Sequence, residues 1–219
     1  MQQTAHSKNR EAGFSLMELL VAMAVMIIIT GAATTMLVGA FNVRSREDQR
    51  TEGISDTRRA LNTLSRELAN AGYRLPTDLT YTSSSGSSIV PTNGLLPDDC
   101  NAQSIAFVAD LDANEDVGDI NEALKYQFFQ NDGSNFLVRN DLNPAGGSIV
   151  LANRIDGAQF DYLDAADNPV AVAAAVRVRI SVMVTLNEVG RRGSTGYQPP
   201  SQVRLASVVN LRNATLNTF

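Results

Sequence analysis

The sequence predicts an α+β fold: one long N-terminal helix followed by a mostly antiparallel β-sheet. Two observations carry that expectation. Helical periodicity is confined to the first third of the chain, and strand-like alternation begins only after residue 104. Helices and strands therefore do not alternate along the chain, which argues against a parallel α/β sheet. The second observation is the stretch 176–186. Val176, Val178, Ile180, Val182, Val184 and Leu186 there alternate with more polar residues, the period-two signature of a strand with one buried and one wet face.

Residues 1–13 read as a short polar leader ending at Gly13. From Leu19 to Phe41 there is no Asp, Glu, Lys or Arg. At about 1.5 Å rise per residue, a helix of that length spans a bilayer. A single carboxylate, Glu18, stands at the entry to this tract. A carboxylate at membrane depth costs about 2.5–3.5 kcal/mol without a partner, so its presence asks for an explanation. Ile27, Ile28, Ile29, Thr30 and Gly31 are weak helix formers in water and mark the point where the stem would unwind most easily.

From Arg44 the helix turns amphipathic and is expected to run to about residue 73. Ile54, Leu61, Leu64, Leu68 and Ala71 share one face, with Arg58, Arg59, Arg66 and Glu67 largely off it. Gly53 reads as a weak point, and Gly72 with Pro76 as the stop. Residues 77–103, rich in Ser, Thr, Gly and Pro, read as a long surface connection with short strands at most. Strands are expected at 104–109, 124–130, 135–139, 148–152, 159–163, 176–186 and 202–212. The domain reading is a leader at 1–13, a transmembrane helix at 14–43 and one globular head at 44–219.

Composition excludes several function classes. The formal net charge of the 219-residue chain is −5. The leader holds two basic residues and one acidic residue, so its removal leaves −6. That balance gives no general attraction to nucleic acid. The short pairs Arg58-Arg59 and Arg191-Arg192 read as solvated surface. The single histidine, His6, lies in the leader, so the remainder has no Ser-His-Asp or Cys-His arrangement and no histidine ligand for zinc. With one cysteine, Cys100, no intrachain disulfide forms; it reads as a small, partly buried filler. No phosphate-binding glycine loop is present. The chain reads as a non-enzyme.

The segment 110–119 places oxygen-bearing side chains at alternate positions: Asp110, Asp112, Asn114 and Asp116. A turning loop of that kind can gather the six to eight oxygens that calcium takes. It is no EF-hand, because Glu115 stands where that loop needs glycine and Glu122 falls one place late. The alternative is a solvated acidic hairpin. Calcium is the only cofactor indicated. Asn213-Ala214-Thr215 matches a glycosylation sequon, a short pattern common by chance.

Three readings compete for the N-terminus: a cleaved secretory signal, a plain anchor, or a signal cut before an apolar run that is kept. An ordinary signal peptide has an apolar stretch of about 7–15 residues with a cleavage site after it. The run GFSLMELLVAMAVMIIITG, with Gly13, Phe14 and Glu18, resembles the type IV prepilin signal. The resemblance implies cleavage after Gly13, N-methylation of Phe14, and an assembly role for Glu18 in setting register against a neighbour's N-terminal amine. The segment from Arg58 to Arg74 and the closing Val209-Asn210-Leu211-Arg212-Asn213 are similar to PilW-type minor pilins and J-type pseudopilins. The chain departs from many pilins in having no proline in the stem and no cysteine pair.

What the resemblance implies is a structural minor pilin of a type IV pilus, active in pilus assembly or priming. The alternatives are a minor pseudopilin of a type II secretion system and, from another class, a stand-alone membrane-anchored protein binding calcium or another ligand. The implied partners are major and minor pilin subunits, the prepilin peptidase and the inner-membrane assembly platform. The implied location is the bacterial inner membrane, crossed once with the head outside the cytoplasm, and then the filament.

Overall fold

A computed structural model describes residues 14–76, 78–153 and 155–214. Its element order is one helix and then strands, as the patterning predicts. Helix α1 (Leu16–Leu68) is unbroken, opening on Ser15, whose hydroxyl accepts from the Met17 N–H at 3.2 Å. It is long and apolar enough near its start to cross a membrane. The helix ends at Leu68 rather than near 73. The chain leaves it through tight turns in which Gly72, at φ +77°, adopts the left-handed conformation open to glycine.

Among the described residues nine strands follow, and every pairing between them is antiparallel. They form three sheets rather than one. β1 (Tyr81–Thr82) and β2 (Ser88–Ile89) make a small hairpin. β3 (Ser104–Val108), β4 (Ala123–Asn131), β5 (Ser134–Asp141) and β6 (Ser148–Ala152) form a four-stranded meander. β7 (Gly157–Leu163), β8 (Arg177–Leu186) and β9 (Ser201–Asn210) form a three-stranded one. β8 pairs β9 over its whole length without a bulge, Val184 opposite Val203 and Val178 opposite Val209. The two larger sheets share one core beneath α1. Leu64 and Leu68 meet Ile105, Phe107, Tyr126 and Leu137 from one sheet and Phe160, Val178, Ile180 and Val182 from the other.

Two expectations need correction. The segment 77–103 is not a surface connection throughout: Leu95 and Leu96 are fully buried, as are Asn93 and Asp99 nearly so. The reason lies in β3, all of whose residues are buried. Ile105 and Phe107 face the main core, while Ala106 and Val108 face a second cluster with Leu96, Leu75, Leu79, Tyr81 and Ile89. The polar groups carried inward are matched. Asn93 donates to the carbonyls of Val172 and Ala175, and Asp99 accepts from Lys125 Nζ at 3.0 Å and from the Ser84 amide. Burial pushes the Asp99 carboxyl up, but Ser84 and Lys125 outweigh it and hold the group below the usual carboxylate range.

The second correction concerns Gly53. It is buried, and a Cβ there would sit 3.2 Å from Val184 Cγ1. Gly53, Thr57 and Ala60 form a strip of small residues that lets α1 approach β8 closely. The glycine is a packing position rather than a break. Cys100 is partly buried, its thiol held against the Ala106 backbone, and burial raises its pKa.

Candidate functional site

The stem comes first. Through Val38 every described residue is exposed, including Leu20, Val25, Ile28 and Leu37, so the head leaves this apolar surface bare. Phe14 is 83% exposed at the helix entry. Glu18 lies in the first turn, where a carboxylate meets the positive end of the helix dipole. Among the described residues Glu18 has no hydrogen-bond or ion-pair partner. Gly13 lies outside the described residues. Gly31 is within the continuous helix, its neighbourhood stitched by Thr30, Thr34 and Thr35 hydroxyls donating to carbonyls one turn back.

The acidic segment is a loop between β3 and β4 with a definite internal order. Asp110 and Glu122, at its two ends, are buried. Glu122 accepts backbone N–H bonds from Leu111 at 2.8 Å and Asp119 at 3.3 Å, while Asp110 accepts from Ala113 at 2.6 Å and Glu115 at 3.1 Å. Ala113 and Glu115 adopt left-handed backbone conformations and turn their amides onto Asp110, whereas Asn121, also left-handed, donates its N–H to Asp141 Oδ2 at 2.7 Å. Burial of both acids is thereby met by backbone dipoles.

The four residues expected to share a cation do not gather as one set. Asp110 and Asp112 form a triad with Glu122, and Asp116 forms another with Asp119 and Glu122. Within each triad the ligand atoms lie within 4.8 Å of one another. Asn114 instead bridges: its amide donates to Asp119 at 2.8 Å and to Asp112 at 3.3 Å, while its carbonyl oxygen accepts from the Asp116 N–H. Glu122 belongs to both triads and was not among the expected ligands. Its signal in the sequence is the acidic side chain one place beyond the loop, directly before the alternating strand β4. The all-oxygen donor set suits a hard cation such as calcium.

Other buried polar contacts escaped the sequence reading. Arg46 is buried on the head-facing side of α1, two turns before Gly53. It donates to the carbonyl oxygens of Asn187 and Pro199, the latter at 2.8 Å, and to Ser201 Oγ at 2.7 Å. Glu67, expected off the packed face, turns toward it. It accepts from the Tyr126 hydroxyl and from Arg139 Nε at 2.9 Å, and Arg139 also reaches Asn121 Oδ1 at 2.7 Å. Burial, followed by the Glu67 carboxylate, pushes the Tyr126 hydroxyl well above its ordinary pKa. Burial opposes the charge on Arg139, but Glu67 more than offsets this and raises its pKa. Thus Arg46 fastens α1 to the end of β8 and the entry to β9, and Glu67 fastens it to the four-stranded sheet.

The C-terminal segment closes against the same helix end. Leu211 is buried in the core, and the Asn213 side-chain amide donates to the Ala71 carbonyl at 3.0 Å. That amide nitrogen is the atom a glycan would occupy, so the sequon asparagine serves the fold here. Thr215 lies outside the described residues.

The family model for the prokaryotic N-terminal methylation motif matches residues 8–34. No curated protein matches the chain. The matched stretch contains the Gly13–Phe14 junction, Glu18 and the start of the apolar stem, and it supports a pilin-like or pseudopilin-like role in filament or secretion assembly. It also fits a membrane-anchored subunit.

Proposed function

We propose that the chain is a minor pilin, a structural subunit that takes part in assembling or priming a type IV pilus. The observation that carries this reading is the bare apolar stem, headed by a carboxylate with no partner among the described residues, inside a methylation-motif match. In the membrane, lipid covers the stem. In a filament, neighbouring stems cover it instead, and Glu18 faces the charged amine of a neighbour's Phe14. Unpaired, that carboxylate would be costly in a low-dielectric bundle, so the pairing selects one register between subunits. The peptidase that cuts after Gly13, other major and minor pilins, and an inner-membrane platform are the partners this reading requires.

The rival reading is a minor pseudopilin of a type II secretion system. The pair of carboxylate triads sharing Glu122 favours it, since a calcium loop is a feature that pseudopilins bring to the resemblance. In either case Asp110, Asp112, Asp116, Asp119 and Glu122 would hold the ion, and its chemistry would be structural. A head melted with millimolar calcium and with chelator should differ in Tm by several degrees, because a ligand at a hundredfold excess over Kd stabilises by about 2.7 kcal/mol. Superimposable curves would reject the calcium site.

The test of the main reading is the intact mass of protein extracted from membranes. A chain beginning at Phe14 with one added methyl group is expected. A start after residue 31 or an unprocessed Met1 would overturn it.

A further inference from the structure

The loop 187–200, which joins β8 to β9, runs down α1 toward the stem. At its root Arg46 donates to the carbonyl oxygens of Asn187 and Pro199. One helical turn nearer the stem, a Cβ on Gly190 would sit 2.8 Å from Asn42 Nδ2. A further turn down, a Cβ on Gly196 would sit 2.5 Å from the Gly39 Cα. Both loop glycines are left-handed, at φ +84° and +78°, so backbone conformation and close approach each call for glycine. Within the loop, Val189 and Gln198 exchange backbone bonds at 3.0 and 2.9 Å, and the Ser194 N–H and hydroxyl both donate to the Arg191 carbonyl. The loop is a shaped strap laid on the helix.

The helix fixes the depth of that strap in a membrane. About 20 helical residues cover the hydrocarbon thickness of a bilayer. Counted from Leu19, the first residue past Glu18, that length ends at Val38. Gly39 comes next. The tip of the strap therefore meets α1 at the level where acyl chains give way to headgroups.

At that level lipids present phosphate. The helix itself has no charged side chain between Glu18 and Arg44, but the strap brings Arg191 and Arg192 there, both exposed. Among the described residues the Arg191 guanidinium has no hydrogen-bond or ion-pair partner. Arg192 donates through Nε to Glu188 at 3.2 Å, which leaves its terminal amino groups for an outside acceptor. Glu188 is the one carboxylate of the loop, and it also accepts from the Tyr197 hydroxyl at 2.8 Å. A planar guanidinium binds phosphate oxygens two at a time. Tyrosine, amphipathic and half-buried here at Tyr197, is a residue enriched at the membrane surface.

We propose that the β8–β9 loop is a lipid-binding strap, in which Arg191 and Arg192 hold the phosphate of an anionic phospholipid at the head-side surface of the membrane. The inference rests on the membrane-anchored reading of the stem.

The experiment uses full-length protein in phosphatidylcholine vesicles that carry a small fraction of headgroup-spin-labelled lipid, either phosphatidylglycerol or phosphatidylcholine. In a Cys100→Ala background, Ser194→Cys, Ala32→Cys or Ala165→Cys carries an environment-sensitive fluorophore. Ser194 reports the strap, and Ala32 reports immersion of the stem by a blue shift. Ala165 is the membrane-distal control: Leu163 pairs with Arg177 and Arg177 with Asn210, close to where Asn213 reaches the end of the helix. The Ser194 probe should be quenched about threefold more by labelled phosphatidylglycerol than by labelled phosphatidylcholine, and the Ala165 probe by neither. Arg191→Ala removes a side chain with no partner among the described residues, so it spares the fold and should roughly halve that preference. Arg191→Ala with Arg192→Ala should abolish it. Equal quenching of Ser194 by the two lipids, or a preference that survives the double variant, would overturn the proposal. A Ser194 probe quenched by neither lipid beside a blue-shifted Ala32 would also overturn it, while sparing the membrane-anchored reading. An Ala32 probe emitting as in water would overturn that reading itself.

Discussion

The two halves of α1 are one continuous helix under opposite constraints. Residues 19–38 carry no charged side chain and are exposed on every side. From Arg46 to Leu68 the helix is amphipathic, with Leu64 and Leu68 fully buried and Arg46 and Glu67 bonded to the sheets. The second half finds its partners within the chain. The first half finds none among the described residues, and under the proposed function lipid or other stems would cover it. Buried contact within one chain therefore reports on folding, whereas unexplained exposure together with an unpartnered carboxylate reports on assembly.

The sharpest way to break the comparison is to alter one group in each half and read both outcomes. Glu18→Ala should leave head stability and membrane insertion unchanged, since Glu18 touches nothing in the head. Its incorporation into sheared fibres, relative to the membrane pool, should fall more than roughly tenfold, because breaking a buried charge pair costs about 3–5 kcal/mol. Glu18→Gln should behave nearly as badly, keeping the shape without the charge. Normal incorporation of both would remove Glu18 from assembly.

Leu64→Ala is the counterpart in the packed half. Leu64 is fully buried between the helix and both sheets, so the head should lose about 2–5 kcal/mol in denaturant unfolding. Leu20→Ala in the stem should leave that curve unmoved. Equal effects from the two substitutions would mean that the stem belongs to the folding unit.

The two helical glycines sharpen the contrast further. A Cβ at Gly31 meets nothing within 4 Å, whereas one at Gly53 meets Val184 at 3.2 Å. Gly53→Val should therefore cost the head about 1–3 kcal/mol through overpacking. Gly31→Ala should leave the head's melting temperature where it was and make the stem a better helix by up to about 1 kcal/mol. A Gly53→Val head as stable as the parent would show that α1 does not pack closely on β8.

The smallest expected effect concerns pH. Asp99 has a folded-state pKa below its ordinary value, so its contribution to stability is fully present above the unfolded pKa of about 3.9 and is lost as pH falls through the folded value. Between neutral pH and 5 it should contribute no slope, and below 4 the head should weaken. Asp99→Asn should flatten that acid limb in thermal melts; an unchanged limb would assign acid sensitivity to other carboxylates.

Much of this was legible in the chain. The long apolar helix, the helix-then-strands order, the strand 148–152 and, starting one residue later than expected, the strand 177–186 follow from periodicity and charge, which are local signals. The buried path of 93–99 was not legible, because its Ser-, Gly- and Pro-rich surroundings have the composition of a loop. Only the all-buried strand β3 creates an apolar surface for Leu95 and Leu96 to cover. Gly53 read as a weak point for the same reason: helix propensity is intrinsic to the residue, but the closeness of Val184 is not. Glu122 was legible only as a misplaced EF-hand residue, since its role depends on how the loop folds back on it.

The sequence alone determined that a helix begins beside Phe14, that the stem carries one charge at its entry, and that strands with one wet face make the head. These follow from the spacing of side chains along a helix or strand, which neighbouring residues settle between them. Tertiary structure decided which side of α1 Glu67 turns to, where Arg46 ends and which acids share a triad. Each of these depends on distances between residues far apart in sequence, which packing alone sets.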